Sequence, residues 1–374
     1  MNFKKLSKKL MAVSMLVLSI FVLTACNGDG GSGSSVDIGI VLPSRDLPRW
    51  LQDETRFVQA LQDTPYSVEI LFSQDSSARE RENVETLITR GMQVLIIATV
   101  DSVGATAAVE AAQREGITVI AYDRLITGTD AIDFYVTFDS FAVGQAQGQF
   151  LIDNATGTGN PLFIYAGSAA DNNAFIFFEG AWSVLQPRIA DGTFIIQNSS
   201  EAVALQNQNQ LTREEKARII GQITTNWVVS DARNLAEANL TAVGSEGKGD
   251  VFILAPNDGS AMAISDTFAQ DSEITSIVIT GQDAEQSSIQ YIIDGRQSMT
   301  VFKDVRLLVE DAIEMAVTIL DGGNVVTDSF INNEAIDVPT KQTAIAVVDR
   351  YNLIEKLIES GFYEADNFDF TNLQ

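Results

Sequence analysis

The chain has 374 residues, enough for two or three domains and real hydrophobic cores, and carries 24 Lys and Arg against 50 Asp and Glu, a formal charge of -26. Such acidity speaks against nucleic acid as a partner, because a phosphate backbone demands a basic patch. Histidine is absent and there is one cysteine, which excludes histidine triads, histidine metal sites, internal disulfides and thiolate clusters.

In chain order, residues 1–25 read as an export signal: four lysines precede an apolar run from Leu10 to Leu23, too short for a comfortable membrane span. The run ends in Leu23-Thr24-Ala25-Cys26, which resembles the lipobox of bacterial lipoproteins. That resemblance implies cleavage before Cys26 and a diacylglycerol on its thiol. Residues 26–35 then form a Gly/Ser tether. The tether holds a formal GxGxxG match, Gly28 to Gly33, but a nucleotide fingerprint needs a preceding strand and a following helix, and this one has neither.

From Val36 the pattern alternates. Strands are expected at Val36–Leu42, Val68–Phe72, Val94–Ala98 and Ile117–Tyr122, with helices at Trp50–Leu61, Arg79–Arg90 and Ala105–Arg114. A second series follows, with helices at Phe141–Asp153, Ala174–Arg188, Arg213–Val228, Ser260–Ala269 and Glu285–Ile293. Its strands are Leu162–Ala166, Phe194–Gln197, Val251–Leu254, Ile277–Thr280 and Met299–Phe302. Gln206–Gln210 reads as a surface loop. The fold class is α/β, with two doubly wound parallel-sheet lobes in tandem.

Ligands of open α/β sheets bind beyond the carboxyl ends of strands. Those ends carry Arg45, Arg49 and Trp50; Asp101; Asp123 and Arg124; Asp171, Asn172 and Asn173; Asn257 and Asp258; Gln282 and Asp283; and Lys303 and Asp304. Trp227 stands near a helix end. No nucleophile–base pair is evident. Carboxylates, amides, guanidiniums and an indole suit a sugar, whose hydroxyls both donate and accept and whose C–H face packs on an aromatic ring. Helix capping is the competing role for each Asp and Asn, and core packing for Trp50, Trp227 and, above all, Trp182.

These segments resemble the bacterial periplasmic monosaccharide-binding proteins of ABC transporters, of the D-xylose-binding and multiple-sugar-binding type (type I periplasmic binding proteins). Pro48-Arg49-Trp50, Ala121-Tyr122-Asp123-Arg124, Thr137-Phe138-Asp139, Asp171-Asn172-Asn173-Ala174, Gly281-Gln282-Asp283-Ala284 and Phe302-Lys303 carry the resemblance. It implies two lobes joined by three crossovers with a ligand cleft between them, the first lobe of 36–138 plus 304–324, the second of 139–303 plus 325–374. It implies sugar binding by Arg49, Asp123, Arg124, Asp171, Asn173, Trp227, Asn257, Asp283 and Lys303, with Trp50 and Asp101 as secondary positions. Pro43-Ser44-Arg45-Asp46 and Ala255-Pro256-Asn257-Asp258-Gly259 depart from those relatives and leave the choice of sugar open.

The expected protein is therefore not an enzyme. It is a monomeric, extracytoplasmic, lipid-anchored receptor that delivers a monosaccharide such as D-xylose to ABC permease subunits, with no metal or organic cofactor. Competing readings are a chemotactic or two-component receptor for a sugar or autoinducer, a glycosidase and a sugar-responsive repressor. The last would need a helix-turn-helix where this chain has its export signal.

Overall fold

The computed structural model describes residues 35–62 and 64–373; the export signal, Cys26 and all of the tether but Ser35 lie outside them. The first series of elements is β1 (Ile38–Leu42), α1 (Pro48–Leu61), β2 (Val68–Phe72), α2 (Ser77–Thr89), β3 (Val94–Ile97), α3 (Thr106–Arg114), β4 (Thr118–Tyr122) and β5 (Phe134–Phe138). Strands β1 and β3 are apolar along their whole length and wholly buried, as strands covered on both faces must be. β5 has no counterpart in the sequence reading. Its five residues, Phe-Tyr-Val-Thr-Phe, are all aromatic or β-branched and do favour a strand, a signal that the sequence reading passes over; pairing with neighbours on both sides places it.

The second series is α4 (Ser140–Asn154), β6 (Asn160–Ile164), α5 (Asn172–Ala190), β7 (Phe194–Ile196), α6 (Ser200–Ala204), α7 (Arg213–Ile223), α8 (Val229–Ala242), β8 (Gly249–Leu254), α9 (Asp258–Phe268), β9 (Ile274–Ile279), α10 (Gln286–Ile293) and β10 (Met299–Lys303). The chain closes with α11 (Val305–Leu320), β11 (Ser329–Asn332), β12 (Asp337–Thr343) and β13 (Ile345–Asp349). The expected helix over Arg213–Val228 stops at Ile223. Beyond it the Thr224 and Thr225 hydroxyls donate to the carbonyls of Gly167 and Ala166, at 2.8 and 3.1 Å, and pull the chain into extended form. Gln206–Gln210 is a loop as read.

One sheet has the order β11-β12-β5-β4-β3-β1-β2, parallel except for β11; the other is β7-β6-β8-β9, all parallel. Each is covered on both faces. In the first, α2 and α3 pack on Leu95 and Val119 while α1 and α11 pack on Ile96 and Ile120. In the second, α5 and α7 pack on Leu162 and Ile164 while α8 and α9 pack on Phe163 and Ile253.

The expected assignment of 325–374 to the second lobe needs correction. Strands β11 and β12 extend the first sheet, β12 pairing in parallel with β5, and only β13 onward returns to pair with β10. Pro339 and Lys341 gave β12 an un-strandlike sequence; partnership with β5 decides its place. The chain thus passes between the two sheet systems at residue 139, at 304 and at 344. Asp139 and Asp304 cap the helices that begin at the first two passages.

Candidate functional site

The carboxyl ends of the strands converge on a cavity of about 420 Å³, its solvent-open mouth included. It is lined by Leu47, Arg49, Trp50, Asp123 and Arg124 from the first sheet's side. From the second come Asp171, Asn173, Phe177, Trp227, Asn257, Gln282, Asp283, Glu285 and Lys303. All nine expected binding residues, and Trp50, are among them.

The first wall is an ion-pair network. Arg49, in the first turn of α1, donates from Nε to Asp53 at 2.7 Å and from Nη2 to Asp123 at 3.1 Å. Asp53 also accepts from the Tyr122 hydroxyl. Burial pushes the Asp123 carboxyl up, but Arg49, Lys303 and Arg124 outweigh it and hold the group below the usual carboxylate range. Arg124 anchors its Nη1 on the Thr99 carbonyl at 3.0 Å, and Trp50 lies between the two guanidiniums, 5.1 and 5.2 Å from its ring.

Contacts cross the cavity. Arg124 Nε meets Asp171 Oδ2 at 3.0 Å, Asn173 Nδ2 donates to the Asp123 carbonyl at 2.9 Å, and Arg49 Nη1 stands 3.8 Å from Asp283 Oδ1. Beside the cavity, Ser102 N–H donates to the Ala170 carbonyl and Asn172 N–H to Ser102 Oγ, at 2.9 and 3.0 Å. The two walls are drawn together.

On the second wall Lys303 Nζ lies 2.7 Å from Asp283 Oδ1. Trp227 meets Phe177 edge to face, ring centres 6.3 Å apart. Its indole packs against Gly167, where a Cβ would come within 2.0 Å of the ring, so only glycine fits there. Asp123, Trp227 and Asp283 have φ of 61°, 64° and 98°. Left-handed backbone at non-glycine residues is costly and collects at ligand sites, where it aims side chains that regular structure would turn away.

Both roles weighed for the polar residues coexist. Asp171 caps α5 through Oδ1, accepting from Asn173 N–H at 2.9 Å, while Oδ2 holds Arg124. Asn257 caps α9 through Oδ1. Asp283 caps nothing: α10 starts after Glu285 and has no side-chain cap. Asp101 is a correction. It does not line the cavity; its Oδ1 accepts from the N–H groups of Val103 and Gly104 at 2.9 and 2.6 Å, which makes it a turn former. Trp182 is core, its Nε1 donating to the Gln208 carbonyl. Arg45 pairs with Glu54 at the surface, outside the cavity.

Comparison with known proteins decides the family. Residues 38–324 match the model of the periplasmic binding protein domain. The chain belongs to this family. It is 32% identical, over 96% of its length and 97% of the relative's, to the multiple sugar-binding periplasmic protein of Azospirillum brasilense. It is 29% identical to the D-xylose-binding periplasmic protein of Escherichia coli, over 95% and 99% of the two chains. A solved carbohydrate-transporter solute-binding protein of Chloroflexus aurantiacus, in complex with D-glucose, is similar at 61% identity with a TM-score of 0.88, covering 90% of this chain and 99% of that one.

For this periplasmic binding protein, the sequence reading left four cavity residues unassigned: Leu47, Phe177, Gln282 and Glu285. Gln282 sits inside the same Gly281-Gln282-Asp283 segment and could have been included with Asp283. Phe177 belongs to a helix apolar on most of its surface, so no periodicity marks the face it turns to the cavity. Glu285 reads as an ordinary acidic helix start. Asp258, which follows a strand like the others, does not line the cavity. It accepts from Gln297 Nε2, Thr300 Oγ1 and the Glu285 N–H and ties α9, β10 and the 281–285 turn together.

Proposed function

We propose that the chain is an extracytoplasmic solute-binding lipoprotein that closes around one aldopyranose, D-glucose or D-xylose, and presents it to the permease of an ABC transporter. The observation that carries this reading is the cavity itself. Charged donors and acceptors converge from both walls on one small space, with two indoles at its edge and no nucleophile held by a base. Each sugar hydroxyl needs both kinds of partner, and Arg49, Arg124 and Lys303 supply donors while Asp123, Asp171 and Asp283 supply acceptors. The D-glucose of the Chloroflexus relative and the D-xylose of the E. coli relative set the range of sugars to try. Contacts that exist only when the walls meet make closure and binding one equilibrium, so a sugar that touches both walls shifts it toward the closed form.

The deciding experiment is a thermal-shift screen of the mature chain against pentoses and hexoses, followed by calorimetry. D-glucose or D-xylose at 100 times its dissociation constant stabilises the folded state by about 2.7 kcal/mol, a shift of several degrees. No shift with any neutral monosaccharide overturns the reading. The anchor has its own test: Cys26→Ala releases the protein from the membrane fraction, and a mutant that stays membrane-bound and matures normally removes the lipid from the proposal. No helix among the described residues is long and apolar enough to cross a membrane.

A further inference from the structure

One cavity carboxyl has no ion-pair partner among the described residues. Glu285 is 3% exposed and lines the cavity beside Asp283, yet no described residue hydrogen-bonds its carboxyl. Its backbone N–H is engaged, donating to Asp258 Oδ2 at 2.9 Å, which fixes where the side chain starts. The other cavity carboxylates differ: Asp123 holds Arg49, Asp171 holds Arg124 and Asp283 holds Lys303. The cavity's three cations are thus committed elsewhere. A carboxyl that faces the cavity with no protein partner is free to pair with a hydroxyl of whatever fills that space.

Building on the sugar-binding reading, we propose that Glu285 is a specificity-determining ligand residue whose neutral carboxyl donates its O–H to one oxygen of the bound sugar and accepts through its C=O. Its charged and titratable surroundings favour the neutral form. Asp258 at the start of α9 and Asp283 in the turn are both acidic; Lys303 on β10 is turned to Asp283; Arg49 of α1 holds Asp53 and Asp123; and Tyr363 donates its hydroxyl to the Ala284 carbonyl. Burial first, then Asp258 and Asp283, push the Glu285 carboxyl up to about 9. At neutral pH this group offers a donor as well as an acceptor, which none of the ion-paired carboxylates can do.

The test is calorimetric titration of the full chain with D-glucose and with its single-deoxy analogues, for the wild type, Glu285→Met and Glu285→Gln, from pH 6 to 10. Glu285→Met weakens D-glucose binding about tenfold or more. It also abolishes the penalty for one particular deoxy analogue, because the hydroxyl that analogue lacks is the one Glu285 contacts. Glu285→Gln, neutral and nearly isosteric, restores affinity to within about threefold at neutral pH. Wild-type affinity falls above pH about 9, the value to which the carboxyl is pushed, and this fall is absent from Glu285→Gln. If Glu285→Met binds D-glucose with native affinity, whatever its melting temperature, or if the deoxy penalties are unchanged in it, Glu285 is structural and the proposal is overturned. A wild-type protein that binds no sugar overturns the proposed function itself, a separate result.

Discussion

The two walls of the cavity are built on opposite principles. On the first, the charges are satisfied before any ligand arrives: Arg49 is held by Asp53 and Asp123, Arg124 by the Thr99 carbonyl, and Asp53 by Tyr122 as well. Trp50 Nε1 is the exception. On the second, Trp227 Nε1 and Gln282 Oε1 are buried without a hydrogen-bond partner, and Glu285 turns a carboxyl with no ion-pair partner to the cavity. A wall that is already paired is rigid and presents fixed charges. A wall with unmet hydrogen-bonding groups gains most when a polar ligand fills the space, so discrimination belongs there.

Breaking the paired wall has the largest effect, and it falls on folding. Arg49→Met leaves Asp53 and Asp123 buried without their cation and costs about 3–5 kcal/mol of stability, measured by chemical denaturation, with sugar binding lost as well. Retained stability would mean that the network is not what holds this wall. Asp283→Asn lies on the reading wall and keeps its shape. It weakens binding by about 2–4 kcal/mol, roughly 30- to 900-fold by calorimetry. Because Asp283 caps no helix, folding suffers far less than binding, and an equal loss of both would contradict the comparison.

Trp227→Ala removes an aromatic face and costs about 1–3 kcal/mol of affinity, roughly 5- to 150-fold. Gly167→Ala moves the ring instead of deleting it, since the new methyl occupies the indole's place. It lowers affinity in the same direction, and native affinity in this variant would show that the ring's position is immaterial.

Glu285 gives the pH signature. Its carboxyl is raised from an ordinary value of 4.5 to about 9, so the native state keeps a proton that the unfolded chain releases. The unfolded state therefore binds fewer protons in this window, and the group's contribution to stability is greatest below pH about 4.5 and declines as pH rises toward about 9. Glu285→Gln does not titrate, and its stability relative to wild type increases across that window in denaturation series. A constant difference would place an ionised carboxylate there at neutral pH. The smallest effect is that of Asp101→Asn, outside the cavity, which leaves sugar affinity unchanged; a tenfold loss would return Asp101 to the site.

The alternation of short apolar runs with amphipathic ones determines the α/β class, and the polar residues at strand ends point to where a ligand sits. Strand-end position brought Arg49, Asp123, Arg124, Asp171, Asn173, Asn257, Asp283 and Lys303 into view along with Arg45, Asp101 and Asp258, which do not line the cavity, and the family resemblance separated the two groups and singled out Trp227. Tertiary structure decided the rest. Strand β12 exists through β5, since a Pro-containing segment becomes a strand when its backbone groups find partners in a neighbour far away in sequence, whereas β5 itself, Phe-Tyr-Val-Thr-Phe, was legible. Asp101 and Asp123 both follow buried strands; only the fold turns one carboxylate inward to its own loop and the other toward Arg49. Glu285 carries no mark in sequence that separates it from an exposed helix start. Its significance comes from burial among Asp258 and Asp283, groups that the chain brings together only when β8, β9 and β10 lie side by side.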